Sequence, residues 1–457
     1  KIIIRQYQEE NKRSIKLPQD TDIVDMEISK KSQYEKKYKT VADNSEYNSD
    51  LQLGDTKYVD RLPKQKSSSL IKASDYYLYN RENFINFINN LFLPYKDELL
   101  QEERDIADGK ITVSCDESLK KDFSLLTHQQ IVRDYINVFS PYRGLLLYHG
   151  LGSGKTCSSI AISEGIKNDK QVLVMTPASL KANYIEELKK CGDYLYKKNQ
   201  FWEFIDTNDN SEQLKNLSSL LKLPQEYIKK NNGAWFVNVQ KKPNYELLTF
   251  EEQQQINNQI NLMIDYKYEF ISYNGLRNNH LTSMTKNNTI NPFDNKVIII
   301  DEAHNFISRI VNKLTRKTSL SMKLYDYLME AENCKIILLS GTPIINYPNE
   351  IGILFNILRG SIKTYGCKLN QNRGKNISKE SLEKLLKDQN IYQHVDNIDY
   401  NSQTNELSIT KNPFGFVKST KQNKIAFSSE TLSSEEFKQS ILSALKQKDI
   451  SIIGNDI

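Results

Sequence analysis

LLLYHGLGSGKTCSSI, residues Leu145 to Ile160, joins an apolar run to a glycine-rich turn and a Lys-Thr pair. The run Leu145–Leu147 predicts a buried strand of a parallel sheet. After it, small residues let backbone amides turn inward and cradle phosphates, and these residues are Gly150, Gly152, Ser153 and Gly154. Lys155 can reach the β and γ phosphates of a nucleotide, and Thr156 can ligate Mg²⁺. The stretch therefore predicts a strand, a phosphate loop and a helix.

The first position of this loop departs from the strict pattern GxxxxGK[ST], because it is His149 rather than glycine. The departure matters little if the amides of residues 150–156 form the cradle. A glycine-rich turn before a helix can also be a plain strand-to-helix connection, and the Lys-Thr pair argues against that alternative.

A second stretch, VIIIDEAH at Val297 to His304, supplies an acidic partner for the loop. Asp301 and Glu302 follow four β-branched residues, so they lie at the carboxyl edge of a strand, where open α/β sheets bind ligands. An acidic pair at such a place is otherwise a solvated strand end. Because the loop and the pair each follow a strand, we expect them to form two halves of one site.

Composition limits the classes of protein that fit. The chain has 457 residues, and 62 Lys and Arg against 57 Asp and Glu give a net charge of +5, which is compatible with a polyanionic partner. The apolar runs are strand-sized and the N-terminus lacks a secretory apolar stretch, so we expect no membrane span and an intracellular, non-secreted protein. The cysteines are scattered without a CxxC pair, which predicts neither a zinc site nor a disulfide in a reducing compartment, and they are Cys115, Cys157, Cys191, Cys334 and Cys367.

The chain divides into four predicted parts. Residues 1–75 form a polar N-terminal arm, and residues 76–124 form a helical lead-in with apolar residues at helical spacing in NRENFINFINNLFL. An α/β lobe follows at 125–360, interrupted by a mostly helical insertion at about 192–268. Residues 361–457 form a polar tail with a helix at 378–388, a hairpin, and a helix near 435–447 in which Phe437, Ile441 and Leu445 share one face.

A third stretch, LLSGTP at Leu338 to Pro343, completes an ordered series with LTHQQ, HGLGSGKT, VMTPASLKANY, FISYNGL and DEAH. In this order the motifs resemble superfamily-two helicases and, within them, the Swi/Snf-like branch. The closest likeness is to the poxvirus and giant-virus nucleoside triphosphate phosphohydrolase I and the small subunit of the early transcription factor. The resemblance implies a RecA-like parallel sheet flanked by helices at 125–360, the first helicase lobe, with the tail as the start of an inter-lobe region.

The resemblance also implies roles for site residues, with ATP and Mg²⁺ as cofactors. Lys155 would neutralise the β and γ phosphates, Thr156 and Asp301 would hold Mg²⁺, and Glu302 would polarise the attacking water. Gln129 would contact the adenine edge, with a plain polar residue at a helix start as the alternative.

Two further groups would couple the nucleotide to nucleic acid. His304 would bridge to the SGT turn formed by Ser340, Gly341 and Thr342. Four residues on loops after strands would contact the phosphates of the tracked strand, with ordinary strand caps as the alternative, and they are Thr176, Pro177, Ser272 and Tyr273.

The function implied is that of an ATP hydrolase that couples hydrolysis to translocation on nucleic acid, DNA rather than RNA, in viral transcription. A transcription-factor subunit or RNA polymerase would be its partner, in the virion and host cytoplasm. The chain opens on Lys1 and contains no QxxGRxxR motif of a second RecA-like lobe, so we expect an N-terminal half that is incomplete alone. The alternatives are a strand-separating RNA or DNA helicase and a promoter-binding transcription factor with ATP as a switch.

Overall fold

The computed structural model describes residues 126–453 with gaps at 138, 151, 167–169, 208–209, 317, 371–376, 419–424 and 429–430. Upstream of residue 126 it describes short segments, of which 81–93 is the longest. Most of the predicted N-terminal arm therefore lies outside the described residues. No helix in the described part of the chain is long and apolar enough to cross a membrane.

The upstream segments contain short paired strands and one long helix, which are β1 (Tyr38–Val41), β2 (Gln52–Leu53), β3 (Thr56–Lys57), α1 (Tyr58–Arg61), β4 (Leu70–Ala73) and α2 (Arg81–Leu91). Strand β1 pairs antiparallel with β4, and β2 pairs antiparallel with β3. Helix α2 confirms the helix predicted from the apolar spacing. Its buried face, with Phe87 and Leu91, packs in one cluster with Tyr76 and Tyr142.

The α/β lobe begins with α3 (Thr127–Tyr135), β5 (Gly144–Tyr148), α4 (Lys155–Ile166), β6 (Gln171–Thr176) and α5 (Lys181–Cys191). The predicted insertion contains β7 (Trp202–Asp206), α6 (Ser211–Leu221), α7 (Gln225–Lys230), β8 (Gly233–Val237) and α8 (Phe250–Lys267). The lobe resumes with β9 (Tyr268–Ser272), α9 (Asn278–Met284), β10 (Lys296–Ile300), α10 (Ala303–Val311), α11 (Leu320–Glu330), β11 (Lys335–Ser340) and α12 (Asn349–Arg359). Single 3₁₀ turns lie at Ala178–Leu180, Tyr194–Tyr196, Tyr245–Leu247 and Tyr392–His394.

The central sheet has five strands in the order β5-β11-β10-β6-β9, and every neighbouring pair is parallel. Its strands are nearly continuous apolar runs because both faces are covered. On β6, Val172 and Val174 face one core, while Leu173 and Met175 face the other. This architecture confirms the predicted parallel sheet flanked by helices.

The predicted insertion shares the core of the lobe. Strands β7 and β8 pair antiparallel, and α8 begins at the predicted capping box, where the Thr249 hydroxyl accepts from the Glu252 amide. Trp202 and Ile256 belong to the same buried cluster as Val172 of the central sheet. The segment therefore adds to one face of the lobe instead of standing apart from it.

The tail contains β12 (Thr364–Asn370), α13 (Lys379–Asp388), β13 (Val395–Asn401), β14 (Glu406–Lys411), β15 (Phe416–Lys418), β16 (Ile425–Phe427), α14 (Ser434–Gln447) and β17 (Ser451–Ile453). Four of its strands form an antiparallel sheet in the order β13-β14-β12-β17. Both helices and the hairpin were predicted. Phe437, Ile441 and Leu445 pack against Leu382 and Leu407 in a separate hydrophobic core.

The amino edge of the central sheet is closed by tight packing at the start of β5. The Arg143 guanidinium donates to the carbonyls of Leu328 and Ile357, which lie near the ends of α11 and α12. A Cβ at Gly144 would lie 2.5 Å from the Leu358 carbonyl oxygen. Only glycine therefore allows this approach of strand and helix.

Lys335, at the start of β11, is the second cation of the amino edge. Its Nζ donates to the carbonyl of Ser140 and, at 2.8 Å, to the carbonyl of Tyr142. The side chain is buried, and burial lowers the pKa of Lys335 to about 7. The lysine therefore ties the loop before β5 to the start of β11.

Candidate active site

The phosphate loop connects β5 to α4 at the carboxyl edge of the sheet. Gly152 and Gly154 have φ of +77° and +74°, a left-handed conformation that favours glycine. A Cβ at Gly154 would meet the Gln129 amide at 2.7 Å, whereas nothing lies within 4 Å of Gly150 or Gly152. The loop is therefore open at Gly150 and Gly152, and it packs against Gln129 at Gly154.

Lys155 lies at the first position of α4 and points back over this cradle. Its Nζ donates to the carbonyl oxygens of His149 at 3.0 Å and Gly150 at 3.1 Å. A Cβ at Gly341, in the SGT turn, would lie 3.6 Å from the same Nζ. The lysine charge thus stands where the phosphate loop and the SGT turn meet, and Thr156 follows it on the same helix.

Gln129 lies on α3 beneath the loop and is buried, with 2% of its surface exposed. Its amide oxygen accepts from the Leu126 amide at 3.0 Å, and its Nε2 donates to the Gly154 carbonyl at 3.4 Å. His128 reaches the Ser153 carbonyl from the same helix at 3.1 Å. Gln129 therefore supports the phosphate loop, and its predicted adenine contact stays a prediction.

Asp301 and Glu302 directly follow β10, which is two strands away from β5 in the sheet. The Asp301 amide donates to the Met175 carbonyl, and the Asp301 Oδ1 accepts from the Glu302 amide at 3.0 Å. Below them the Tyr273 hydroxyl donates to the carbonyls of Asp301 at 3.1 Å and Glu302 at 3.2 Å. The acidic pair is therefore held in place by hydrogen bonds of its backbone.

The acidic pair is electrostatically crowded. Burial, and then the neighbouring Glu302 charge, raise the pKa of Asp301 to about 6, while Lys155 acts in the opposite direction. A cation beside these carboxylates would relieve both effects. With the Thr156 hydroxyl on the facing helix, the set consists of hard oxygen donors, which is the donor type that Mg²⁺ prefers.

Glu302 has an unusual backbone conformation for a residue with a side chain. Its φ of 48° and ψ of 49° place it in the left-handed region. Such a conformation costs roughly 1–3 kcal/mol and persists where the surroundings enforce it, often at functional sites. The two Tyr273 hydrogen bonds and the start of α10 enforce it here.

His304 joins the acidic pair to the SGT turn. Its Nδ1 lies 3.4 Å from a Glu302 carboxylate oxygen and 3.0 Å from the Ser340 Oγ. The Thr342 amide donates to the same Ser340 Oγ at 3.0 Å. The predicted bridge from His304 is thus direct to Ser340, and it reaches Thr342 through that hydroxyl.

A second link between these elements was not anticipated from sequence. Asn346 donates from Nδ2 to the Ser308 Oγ on α10 at 2.8 Å. The Glu350 carboxylate accepts from the amides of Ile345 at 2.8 Å and Asn346 at 3.2 Å, and Glu350 is fully buried. In the sequence, Glu350 could have indicated a link because it lies four positions after Asn346. Its partners are visible only in the folded loop.

The four predicted nucleic-acid contacts divide into two pairs. Thr176 and Tyr273 are 1% and 2% exposed, and the hydroxyl of Tyr273 supports the acidic pair from below. Pro177 and Ser272 are partly exposed on neighbouring strand ends. The Ser272 Oγ itself is buried without a hydrogen-bond partner. Direct contact with a nucleic acid stays a prediction for all four.

The prediction that the scattered cysteines form no disulfide is wrong. Cys157 on α4 and Cys191 at the end of α5 are joined as a disulfide, with their Cα atoms 5.5 Å apart. Their separation of 34 residues carries no pattern in the sequence. The two helices pack side by side, and this packing brings the sulfurs together.

Comparison with known proteins agrees with this geometry. A family model described as the SNF2-related domain matches residues 77–387. An Acanthamoeba polyphaga mimivirus protein, provisionally named ATP-dependent RNA helicase R563, is 31% identical over 234 residues, 50% of this chain and 32% of its own length. An African swine fever virus protein, termination factor NPH-I homolog, is 26% identical over 277 residues, 60% of this chain and 30% of its own.

Among solved structures, the Sulfolobus solfataricus SWI2/SNF2 ATPase core in complex with dsDNA is 18% identical, with a TM-score of 0.26 over 52% of this chain and 35% of that one. This chain spans about a third of the length of the two viral relatives. The family model covers more than half of the chain, including the phosphate loop, the acidic pair and the SGT turn. The chain therefore belongs to the SNF2-related domain family.

Proposed function

We propose that this chain is the ATP-binding lobe of a DNA-dependent ATPase that couples hydrolysis to translocation on nucleic acid in viral transcription. One observation carries the proposal. The phosphate loop with Lys155, the Asp301–Glu302 pair and Ser340 lie at the carboxyl ends of three strands that are neighbours in the sheet, and His304 connects the last two. A plain structural turn would need no such convergence of charge.

The residues present fit ATP and Mg²⁺. The amides of the phosphate loop would hold the phosphates, and the Lys155 ammonium would neutralise their β and γ oxygens. Thr156 and Asp301 would hold Mg²⁺, which draws charge from the transferred phosphoryl group. The Glu302 carboxylate, which lies 3.4 Å from His304, would orient and deprotonate the attacking water.

His304 and Ser340 give the site a route to nucleic acid. Glu302 lies within 3.4 Å of His304, so a change at the water position alters the partner of Ser340 and with it the SGT turn. The Thr342 amide donates to the Ser340 hydroxyl, so a change at Ser340 also affects Thr342 and the exposed residues after it. We infer that the conformation of the SGT turn depends on the bound nucleotide and changes the surface that contacts the nucleic acid.

The nucleic-acid partner is proposed to be DNA, held mainly through its backbone. The net charge of +5 and the motifs of the Swi/Snf-like branch support this. Contacts to phosphates would make affinity sensitive to salt and nearly independent of sequence. A relative named as a termination factor supports a role beside RNA polymerase or a transcription-factor subunit, in the virion and host cytoplasm.

The experiment that tests the proposal measures phosphate release by the purified chain at low salt, with and without duplex DNA. A cationic group supplied by a second lobe can contribute about 10³ to 10⁵ in rate. We therefore expect weak ATP binding and little DNA-stimulated hydrolysis by the chain alone, and both should increase when a second lobe is supplied. Robust stimulation of the chain alone would show that the arginine comes from this chain or from a second copy of it.

A second candidate function is supported by the name of the mimivirus relative, which is that of an RNA helicase. In this case the chain would serve in strand separation on RNA. The same assay distinguishes the two functions when duplex DNA is replaced by single-stranded or duplex RNA of equal length. Stimulation by RNA that exceeds stimulation by DNA would favour the helicase.

A further inference from the structure

The disulfide between Cys157 and Cys191 lies beside the candidate site. Cys157 directly follows Thr156 in the first turn of α4, and Cys191 is the last residue of α5. Helix α5 begins a few residues after Pro177, on the side where nucleic acid is proposed to lie. The bond therefore joins α4, the helix that follows the phosphate loop, to α5, the helix that follows the loop with Pro177.

A carboxylate lies at both sulfurs. The Glu187 Oε2 is 3.5 Å from the Cys157 Sγ and 3.8 Å from the Cys191 Sγ. Its other oxygen accepts from the Lys190 Nζ at 3.0 Å, and 35% of the Glu187 side chain is exposed. In the dithiol form each S–H has an acceptor in this carboxylate. Both oxidation states of the pair are thus accommodated without a change of fold.

The other described cysteines are unlike this pair. Cys334 is buried and its Sγ donates to the Ala331 carbonyl at 3.6 Å, and Cys367 is partly buried on β12. Neither is bonded to a second sulfur. Disulfides of proteins in reducing compartments are usually transient or redox-sensing. Cys157 and Cys191 are 7% and 8% exposed, and the partly exposed carboxylate of Glu187 lies beside both sulfurs.

We propose that Cys157 and Cys191 are a thiol–disulfide exchange site whose co-reactant is a low-molecular-weight disulfide such as glutathione disulfide. The thiolate of one cysteine attacks a glutathione sulfur, which breaks the S–S bond and releases one glutathione. The second cysteine attacks the protein sulfur of the mixed disulfide and releases the other glutathione. Two protein thiols are oxidised, one glutathione disulfide is reduced to two thiols, and the two protons pass to them.

The oxidised form ties the first turn of α4 to the last turn of α5. A disulfide that closes a loop of this size stabilises a protein mainly by restricting its unfolded state. We therefore expect the melting temperature to fall by roughly 5 °C on reduction. The site does not depend on the proposed translocase function, because its readouts are thiol state and stability.

The experiment equilibrates the full chain with glutathione buffers of increasing oxidised fraction, quenches with acid, denatures, and counts free thiols with a maleimide mass tag. Two thiols should disappear together in the wild type and in Cys367→Ser, the matched control. In Cys191→Ser that paired loss should be absent, and the melting temperature should no longer change on reduction. The wild-type titration needs no variant, so poor folding of Cys191→Ser would leave the test intact.

Two results would overturn the proposal. One is a thiol count that stays constant across the whole glutathione series. The other is a reduced chain that retains one equivalent of zinc, lost in Cys191→Ser, which would make Cys157, Glu187 and Cys191 a metal site. Glu187→Gln tests the carboxylate separately, because removal of its charge favours the thiolate and should accelerate exchange roughly threefold. An unchanged rate would remove Glu187 from the site.

Discussion

Each edge of the central sheet holds a lysine that donates to two loop carbonyls, yet the two lysines are placed for different purposes. Lys335, at the amino edge, is 7% exposed, and the carbonyls that it binds are its own fixed partners. Lys155, at the carboxyl edge, is partly exposed and faces an open glycine loop. Lys335, with fixed carbonyl partners, contributes to stability. Lys155 can exchange its carbonyl partners for phosphates, which suits a lysine that binds a ligand.

The charged groups at the two edges differ in the same way. At the carboxyl edge, burial and the neighbouring Glu302 charge raise the pKa of Asp301 to about 6, so a bound cation would stabilise the charged carboxylates. At the amino edge, the charged groups Arg143 and Lys335 already donate to carbonyl acceptors within the fold. We therefore expect substitutions at the two edges to separate ligand binding and chemistry from stability.

The largest effect is expected at the carboxyl edge with Glu302→Gln. ATP binding should persist, because the amide keeps the size of the carboxylate. Turnover should fall by at least ~10²-fold, the scale for loss of a positioned base. The test measures phosphate release with a second lobe supplied, where the wild-type chain is expected to hydrolyse ATP. Glu330→Gln, at the exposed end of α11, is the matched control and should turn over normally. Near-normal turnover by Glu302→Gln would assign the water to another group.

The lysine pair provides the next comparison. Lys155→Ala should remove a charge-assisted contact of roughly 1.5–3 kcal/mol to the phosphates and leave the free energy of unfolding unchanged. Lys335→Ala should leave nucleotide affinity unchanged and lower the free energy of unfolding by about 1–3 kcal/mol, because buried carbonyls lose their donor. Titration with a fluorescent nucleotide and urea denaturation measure the two quantities. Equal loss of both quantities in either variant would show that the edges are not independent.

A pair of glycines tests the packing of the amino edge. Gly144→Ala should lower the free energy of unfolding by about 1–3 kcal/mol, because its Cβ would meet the Leu358 backbone. Gly352→Ala, on the open face of α12 with nothing within 4 Å, should raise it by about 0.5–1 kcal/mol through helix propensity. Thermal denaturation of both variants gives the comparison. A tolerated alanine at residue 144 would mean that α12 can shift away from β5.

The smallest effect concerns pH. The pKa of Lys335 is about 7 in the folded chain and 10.5 in the unfolded one, so between these values the unfolded state binds more protons. Stability should therefore rise as pH increases from 7 to 8.5, and Lys335→Met should weaken that rise. Urea midpoints at the two pH values measure it. The same pH dependence in the wild type and in Lys335→Met would indicate that the carbonyls of Ser140 and Tyr142 keep the lysine charged.

Local patterns predicted most of the central sheet and the residues that the fold brings together at the candidate site. Alternating and continuous apolar runs located β6, β10 and β11, and the residues after each strand gave the phosphate loop, the acidic pair and the SGT turn. These signals lie within a few residues of one another, so they need no knowledge of the fold. The parallel sheet was predicted from the apolar run at Leu145–Leu147, and the resemblance to a known family implied the same sheet.

What the sequence did not show depends on contacts between distant elements. The bond from Cys157 to Cys191 requires the packing of α4 on α5, and the link from Ser308 to Asn346 requires α10 to lie beside the loop after β11. Burial of Tyr273 beneath the acidic pair is a third case. Residue types at these positions are ordinary, and only the assembled sheet gives them partners.

The left-handed backbone of Glu302 has a consequence for how this lobe would change under selection. Glycine adopts that conformation without steric cost, and asparagine adopts it more readily than glutamate. A library screened for heat resistance alone would thus enrich Gly or Asn at this position, since either relaxes the backbone. Both replacements discard the carboxylate, so under the proposed mechanism the survivors would be more heat-resistant and would not hydrolyse ATP. Heat resistance and chemistry compete here at a single residue.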